Sequence, residues 1–247
     1  MSILRSTLVI VDIRIPPLKN PTGWRTVKIC ECGEKLVSLK TLDTKRLIVD
    51  SEYYKAGYQY AVEECYARET VARMLHEASK TLPEGWKIVI FDLWRPLQLQ
   101  KQLFDEYKAK LRIQHPKTDD RELDEKTQRY VSLPSSNPAC PSPHVTGGAI
   151  DLSLRDEAGK NLEMGAGFDG FSDRSHTRYY EVKFEEEGKL APQEEIYLRN
   201  RRILFHTLAR VGFTNYPEEW WHFDYGNQFW ARIKGVEAIY GIASLNP

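Results

Sequence analysis

SPHVTGGAIDLSL, residues 142–154, changes character halfway: Pro143, Gly147 and Gly148 break the backbone before AIDLSL settles into alternation. In a strand, Ile150, Leu152 and Leu154 share one face and Asp151 and Ser153 the other, so the apolar set points to a core and Asp151 away from it. His144 lies seven residues before Asp151, which in an unbroken strand is the opposite face. The glycine pair lets the chain turn and bring imidazole and carboxylate to one point. Such a pair suits a metal.

Upstream, SLPSSNPACPSP (132–143) cannot be regular structure and reads as a surface loop that follows a polar stretch, 114–129. Before that, WKIVIFDLW (86–94) is a β-branched and aromatic run that reads as a buried strand. Arg95-Pro96 ends it, and Pro96 opens a helix carrying Leu99, Leu103, Phe104, Tyr107 and Leu111. Val62, Tyr66, Val71, Leu75 and Ala78 recur at a helical period, which predicts a helix over 60–80. Residues 1–50, punctuated by Pro16, Pro17, Pro21, Gly23 and Gly33, read as an N-terminal arm of strands and loops. Downstream, MGAGFDGFSDRSH (164–176) is a loop, and EEEG (185–188) is a solvated surface. Pro192 then opens a helix with apolar positions Ile196, Ile203, Leu204, Leu208 and Val211, closed by Gly212. Without repeats or a linker, residues 1–247 read as one α+β domain.

The chain has 247 residues, of which 41% are apolar and 11% aromatic, enough to bury a sizeable core. Lys plus Arg (35) balance Asp plus Glu (35), so there is no field to draw nucleic acid or an anionic membrane, and the expected partner is small. No apolar run is long enough for a membrane span, and the opening run is broken by Asp12 and lacks a small-residue cleavage site, which suggests a cytoplasmic protein. Four cysteines in this length make no disulfide framework and agree with a reducing compartment. Cys30 and Cys32 form a C-x-C, but a structural zinc would need a second ligand pair, and only the isolated Cys65 and Cys140 remain.

A catalytic zinc takes three protein ligands and keeps a fourth position open. His222 in EEWWH is the candidate third ligand beside His144 and Asp151, and Glu219, three residues before it, is a carboxylate free to act as a base. Glu218 competes for that role on chemistry alone. An E-x-x-H also arises by chance, and Trp220, Trp221 and Phe223 can be core aromatics. A di-iron bundle needs a second E-x-x-H, which the chain lacks. His76 and His206 fall in expected helices and His115 beside Pro116, whereas His176, in the Asp-rich loop, is expected to approach the site behind the ligands. Arg95, at a strand end, can stabilise an oxyanion or make a surface ion pair.

SPHVTGGAID resembles the S-x-H-x-x-G-x-A-x-D signature of the zinc D-alanyl-D-alanine dipeptidases, and EWWH resembles their E-x-W-H signature, which selects Glu219 over Glu218. WRP (94–96), MGAGFDGFSDRSH, NRR (200–202) and GF (212–213) follow in the family's order, so the likeness spans about residues 60–225. It implies a central mixed, mainly antiparallel sheet flanked by helices. One zinc per chain would be held by His144, Asp151 and His222, with Glu219 as base and later proton donor and Arg95 at the tetrahedral intermediate. Asp169 would pair with the ammonium of a small dipeptide, and Ser142 would help hold that substrate. Where the family tends to have an Asn-Phe loop, this chain has DSEYYKAGYQYAVEECY (50–66), whose Tyr53, Tyr54, Tyr58 and Tyr60 either line the pocket or pack at the sheet edge. The enzymatic alternative is a D,D- or L,D-carboxypeptidase or endopeptidase acting on longer peptidoglycan stem peptides. The competing class is a zinc-containing binding protein that has lost turnover.

Overall fold

The computed structural model describes residues 11–42 and 45–245, so the arm before residue 11 lies outside the described residues. The N-terminal part contributes β1 (Leu36–Ser38), β2 (Leu47–Val49), the short α1 (Glu52–Lys55) and β3 (Tyr66–Arg68), followed directly by α2 (Glu69–Lys80). Then come β4 (Lys87–Asp92), α3 (Leu97–Gln114), α4 (Asp120–Gln128) and β5 (Ala149–Arg155). The last third adds α5 (Tyr179–Glu187), α6 (Pro192–Ala209), β6 (Thr214–Asn215), β7 (His222–Asp224) and α7 (Gln228–Lys234). Five strands form one sheet in the order β2-β4-β5-β7-β6, parallel only between β2 and β4, and β1 pairs with β3 apart from it. The expected mixed, mainly antiparallel α+β architecture is what the chain adopts.

Central strands β4 and β5 are apolar enough to be covered on both sides: Ile88, Val89, Ile90, Ile150, Leu152 and Leu154 are all fully buried. Val71, Ala72, Leu75 and Ala78 of α2 and Ile203, Leu204, Phe205 and Leu208 of α6 share a core with these strands. A second cluster, Leu99, Leu103 and Phe104 of α3 with Tyr53 and Val131, packs beside the polar end of the sheet.

The register of that sheet builds the site. Ile90 pairs with Leu152, but Asp92 pairs with Asp151 rather than with Ile150, because Phe91 is an extra residue in β4. A one-residue slip moves every later side chain to the other face. The bulge therefore turns Asp92 from the core side to the side of Asp151, the kind of re-aiming for which bulges serve next to active sites. Asp151 pairs in turn with His222 on β7, so Asp92, Asp151 and His222 stand side by side on three neighbouring strands.

Two expectations need correction, and one stretch read only as polar holds a helix. The helix expected over 60–80 begins only at Glu69, because Tyr66–Arg68 is claimed by β1 and the Arg68 guanidinium is buried against Thr146 O at 2.8 Å and Glu31 at 3.0 Å. Tertiary pairing overrides the helical period there. The polar 114–129 stretch holds a helix, α4, although only Leu123 and Thr127 of it are buried; it is capped by Asp119, which accepts from Glu122 N at 2.9 Å. On α6, Ile196 is 45% exposed, and the inward face includes Arg201 and Arg202 instead.

The turn before β5 is a single 3-10 turn, His144–Thr146, closed by Gly147 at φ 72°. A Cβ on Gly148 would run into the Tyr225 carbonyl and the Tyr240 ring. Gly148→Ala is therefore expected to destabilise the fold by about 1–3 kcal/mol through overpacking, read as a lower denaturation midpoint; an unchanged midpoint would show that β7 can move aside.

Candidate active site

Three ligand-capable side chains meet at the ends of β5 and β7. His144 Nε2 lies 3.3 Å from His222 Nδ1 and 3.4 Å from Asp151 Oδ2, and His222 Nδ1 lies 2.9 Å from Asp151 Oδ1. All three residues are buried, and their ligand atoms lie within 4.8 Å of one another. Tetrahedral ligands at the usual zinc bond lengths stand about 3.3 Å apart, so this donor set has the right kind and spacing.

Groups behind the cluster fix which nitrogen faces inward. His144 Nδ1 donates to Leu93 O at 2.7 Å, which leaves Nε2 to point at the cluster. His222 Nε2 meets Asp224 Oδ1 at 3.2 Å, and Asp224 is itself held by Asn227 Nδ2 at 2.6 Å. Asp92 lies 3.4 Å from His144 Nδ1 and accepts from Arg95 Nε at 2.8 Å. Asp92 and Asp224 were not singled out in the sequence, though H-x-D on one strand puts both side chains on one face.

The electrostatics ask for a cation. Burial raises Asp92, while burial on Asp151 is outweighed by His144 and His222, which hold its carboxyl well below the ordinary range. Burial would lower His222, yet Asp224 and Asp151 together keep it protonated far above its usual value. Glu219, 6% exposed, is pushed well up by burial, with Asp151 and Asp169 adding to the effect. Several buried carboxylates thus share one guanidinium and two imidazoles, an imbalance that a divalent cation at the three inward donor atoms would correct.

Glu219 Oε2 lies 3.8 Å from His222 Nδ1. Its turn is fastened by Asn215 Nδ2, which donates to Glu219 O at 3.2 Å and His222 O at 2.9 Å, and by Trp220, whose backbone N donates to Ser175 O and whose Nε1 donates to Ala166 O. Arg95 is a buried hub: Nε reaches Asp92, NH1 reaches Gln100 Oε1 at 2.8 Å, and NH2 makes the longer 3.4 Å contact with Asp151. Its surface ion-pair reading is thereby replaced by a buried one. The ring of Tyr53 covers its guanidinium at 5.1 Å.

His144, Asp151, His222, Glu219, Arg95 and Asp169 all line one cavity of about 330 Å³. Asp169 sits at φ 54° in its glycine-rich loop and accepts from the Tyr53 hydroxyl at 2.8 Å. Burial and the charge of Asp151 push its carboxyl up to about 7. Arg201 holds that loop through Met164 O (2.8 Å), His176 O (2.6 Å) and Arg174 O (2.5 Å), which gives the NRR segment its job. Tyr53 and Tyr58 line the cavity, whereas Tyr54 and Tyr60 are exposed. Ser142 is not brought to it: its buried hydroxyl donates to Leu133 O and accepts from Ser135 N, clamping the preceding loop. His176, expected behind the ligands, touches none of them: its Nε2 lies 3.0 Å from Glu218 Oε2. Cys30 and Cys32 are exposed thiols.

A family model described as D-ala-D-ala dipeptidase matches residues 48–236. The chain belongs to that family. Among curated members, a D-alanyl-D-alanine dipeptidase of Synechocystis sp. is 30% identical over 227 residues, 87% of this chain and 90% of that one. Another, from Escherichia coli, is 29% identical over 195 residues, 74% and 77% of the two chains. A zinc-bound vancomycin-resistance D,D-pentapeptidase superposes with a TM-score of 0.42 at 14% identity, covering 87% of this chain and 97% of the other. The family match extends past the quoted motifs on both sides, reaching β2 and the end of α7.

Proposed function

We propose that this dipeptidase-family chain hydrolyses D-alanyl-D-alanine, or a closely similar dipeptide, with one zinc ion held by His144, Asp151 and His222. The observation that carries the reading is the convergence of two imidazole nitrogens and a carboxylate at 2.9–3.4 Å beside a buried glutamate that ligates nothing. Zinc bound there would polarise the scissile carbonyl, make water a better nucleophile at neutral pH and draw Glu219 towards its ionised form.

The protein's own groups divide the remaining work. Glu219 takes the proton of the attacking water and delivers it to the leaving amine. Arg95 offers NH2, its least committed nitrogen, to the oxyanion that develops on the carbonyl. Asp169 receives the substrate ammonium with Tyr53 fixing its orientation, and that pairing restores the ionised carboxylate. Ser142 acts at one remove by holding the turn that presents His144. All four cysteines are unpaired, which supports a cytoplasmic setting, and among the described residues no helix is long and apolar enough to cross a membrane.

The test compares D-Ala-D-Ala with its N-acetyl derivative in steady state. An acylated amine has no charge to give Asp169 and leaves a buried carboxylate unpaired, so the derivative is expected to lose about 10–100-fold in kcat/KM. Asp169→Asn should raise KM for the free dipeptide by a similar factor and barely alter the derivative. Equal turnover of both substrates by the unaltered protein would favour the alternative, cleavage at the end of longer stem peptides.

A further inference from the structure

Asp169 gives the cavity one charged end, and a dipeptide has two. Three cations line the cavity: Arg95, Lys110 and Arg129. Arg95 spends Nε on Asp92 and NH1 on Gln100, and its one lightly held nitrogen, NH2, is the donor given to the oxyanion, which leaves it no free donor for a second anion, the substrate carboxylate. Lys110 is exposed and has no ion-pair partner among the described residues, so nothing fixes its position. Arg129 is different. Its Nε donates to Glu218 Oε2 at 2.8 Å, its guanidinium lies 5.4 Å from the Tyr130 ring, and its carbonyl accepts from the Tyr216 hydroxyl at 3.0 Å. NH2 is 3.3 Å from His176 Nε2, and among the described residues NH1 has no hydrogen-bond partner.

Placement agrees with the chemistry. Phe171, two residues after Asp169, stacks on Tyr130, the residue after Arg129, with ring centroids 5.0 Å apart, so one aromatic pair ties the two segments together on the cavity wall. Glu218, which anchors Arg129, immediately precedes Glu219, and His176, whose Nε2 donates to Glu218, closes the loop that carries Asp169. We propose that Arg129 reads the free C-terminal carboxylate of the dipeptide, so that the cavity matches a zwitterion with Asp169 at one end and a pre-positioned guanidinium at the other. A planar fork held on its Nε side and by an aromatic face keeps its remaining donors aimed without ordering a flexible chain at the moment of binding.

This assignment rests on the dipeptidase reading, and the experiment separates the two. D-Ala-D-Ala and its C-terminal amide are compared in the unaltered zinc-loaded protein, in Arg129→Gln, in Arg129→Lys and in Lys110→Gln, with each variant's melting temperature checked against the parent. Arg129 is half exposed and its pairing is screened, so the expected loss for Arg129→Gln on the free dipeptide is about 10-fold in kcat/KM, mostly in KM. The amide should be poor for the parent by the same factor and no worse for Arg129→Gln, and Arg129→Lys should recover part of the loss. If Arg129→Gln weakens the free dipeptide and the amide alike, the residue supports the wall and does not read the carboxylate. A loss confined to Lys110→Gln would hand the role to Lys110 and overturn the proposal. Absence of turnover in the unaltered protein would overturn the dipeptidase reading itself, and this assignment with it.

Discussion

Glu219→Gln is expected to lower kcat by about 10²–10⁴-fold while zinc content stays at the parent level. Glutamine fills the same volume and can keep the hydrogen bonds of the turn, which run through the Glu219 backbone carbonyl to Asn215. What it cannot do is accept and return a proton. The carboxylate stands 3.8 Å from His222 Nδ1 and is not one of the three atoms that converge, so its loss should leave the metal in place. Burial and two neighbouring carboxylates push Glu219 upward, towards a neutral carboxyl that glutamine matches in charge and size. The variant should therefore be about as stable as the parent. Glu218→Gln is the control: its side chain is spent on Arg129 and His176, so kcat should fall far less. Metal analysis and steady-state kinetics on the two variants check this, and a Glu219→Gln protein with parental kcat would remove the base from the mechanism.

Much of this site could be read in the sequence because its chemistry is local. Alternation in AIDLSL set Asp151 against the core face, and the glycine pair announced the turn that brings His144 back to it. Asp169 came from resemblance alone and Arg95 also from its place at a strand end, and both do line the cavity. Less legible was whatever depends on strand register. Asp92 joins the site through a bulge at Phe91, and no periodicity marks an extra residue in KIVIFD. Arg68 and Arg201, charged residues at buried positions, are satisfied by carbonyls from loops far away in the chain, a long-range fact invisible in a window of neighbours. The helix α4 carries a local cap pattern, Asp119 followed by Glu122, but too few apolar residues after it to mark a buried face. Ser142 erred in the other direction. A motif position implied a substrate contact where the structure places a loop clamp.

Asp151→Asn should abolish turnover and lower zinc affinity by more than the ~10–100-fold that loss of a partner behind a ligand costs. Asparagine matches the shape but offers a neutral oxygen, and its NH₂ would face either His222 Nδ1 or the guanidinium of Arg95, which now meet Asp151 at 2.9 and 3.4 Å. Asp224→Asn is the graded comparison. It touches the far nitrogen of His222 and reaches none of the inward atoms, so its cost should fall inside that range. Thermal denaturation with and without chelator reads the difference directly, because a ligand that binds only the folded protein raises the midpoint in proportion to RT ln(1 + [L]/Kd). The parent should lose many degrees on chelation and regain them with zinc, Asp224→Asn should do so at higher zinc, and Asp151→Asn should respond to neither. A parental zinc response in Asp151→Asn would move the metal to a different set of residues, and the roles assigned to Glu219 and Arg95 would lose the geometry that supports them.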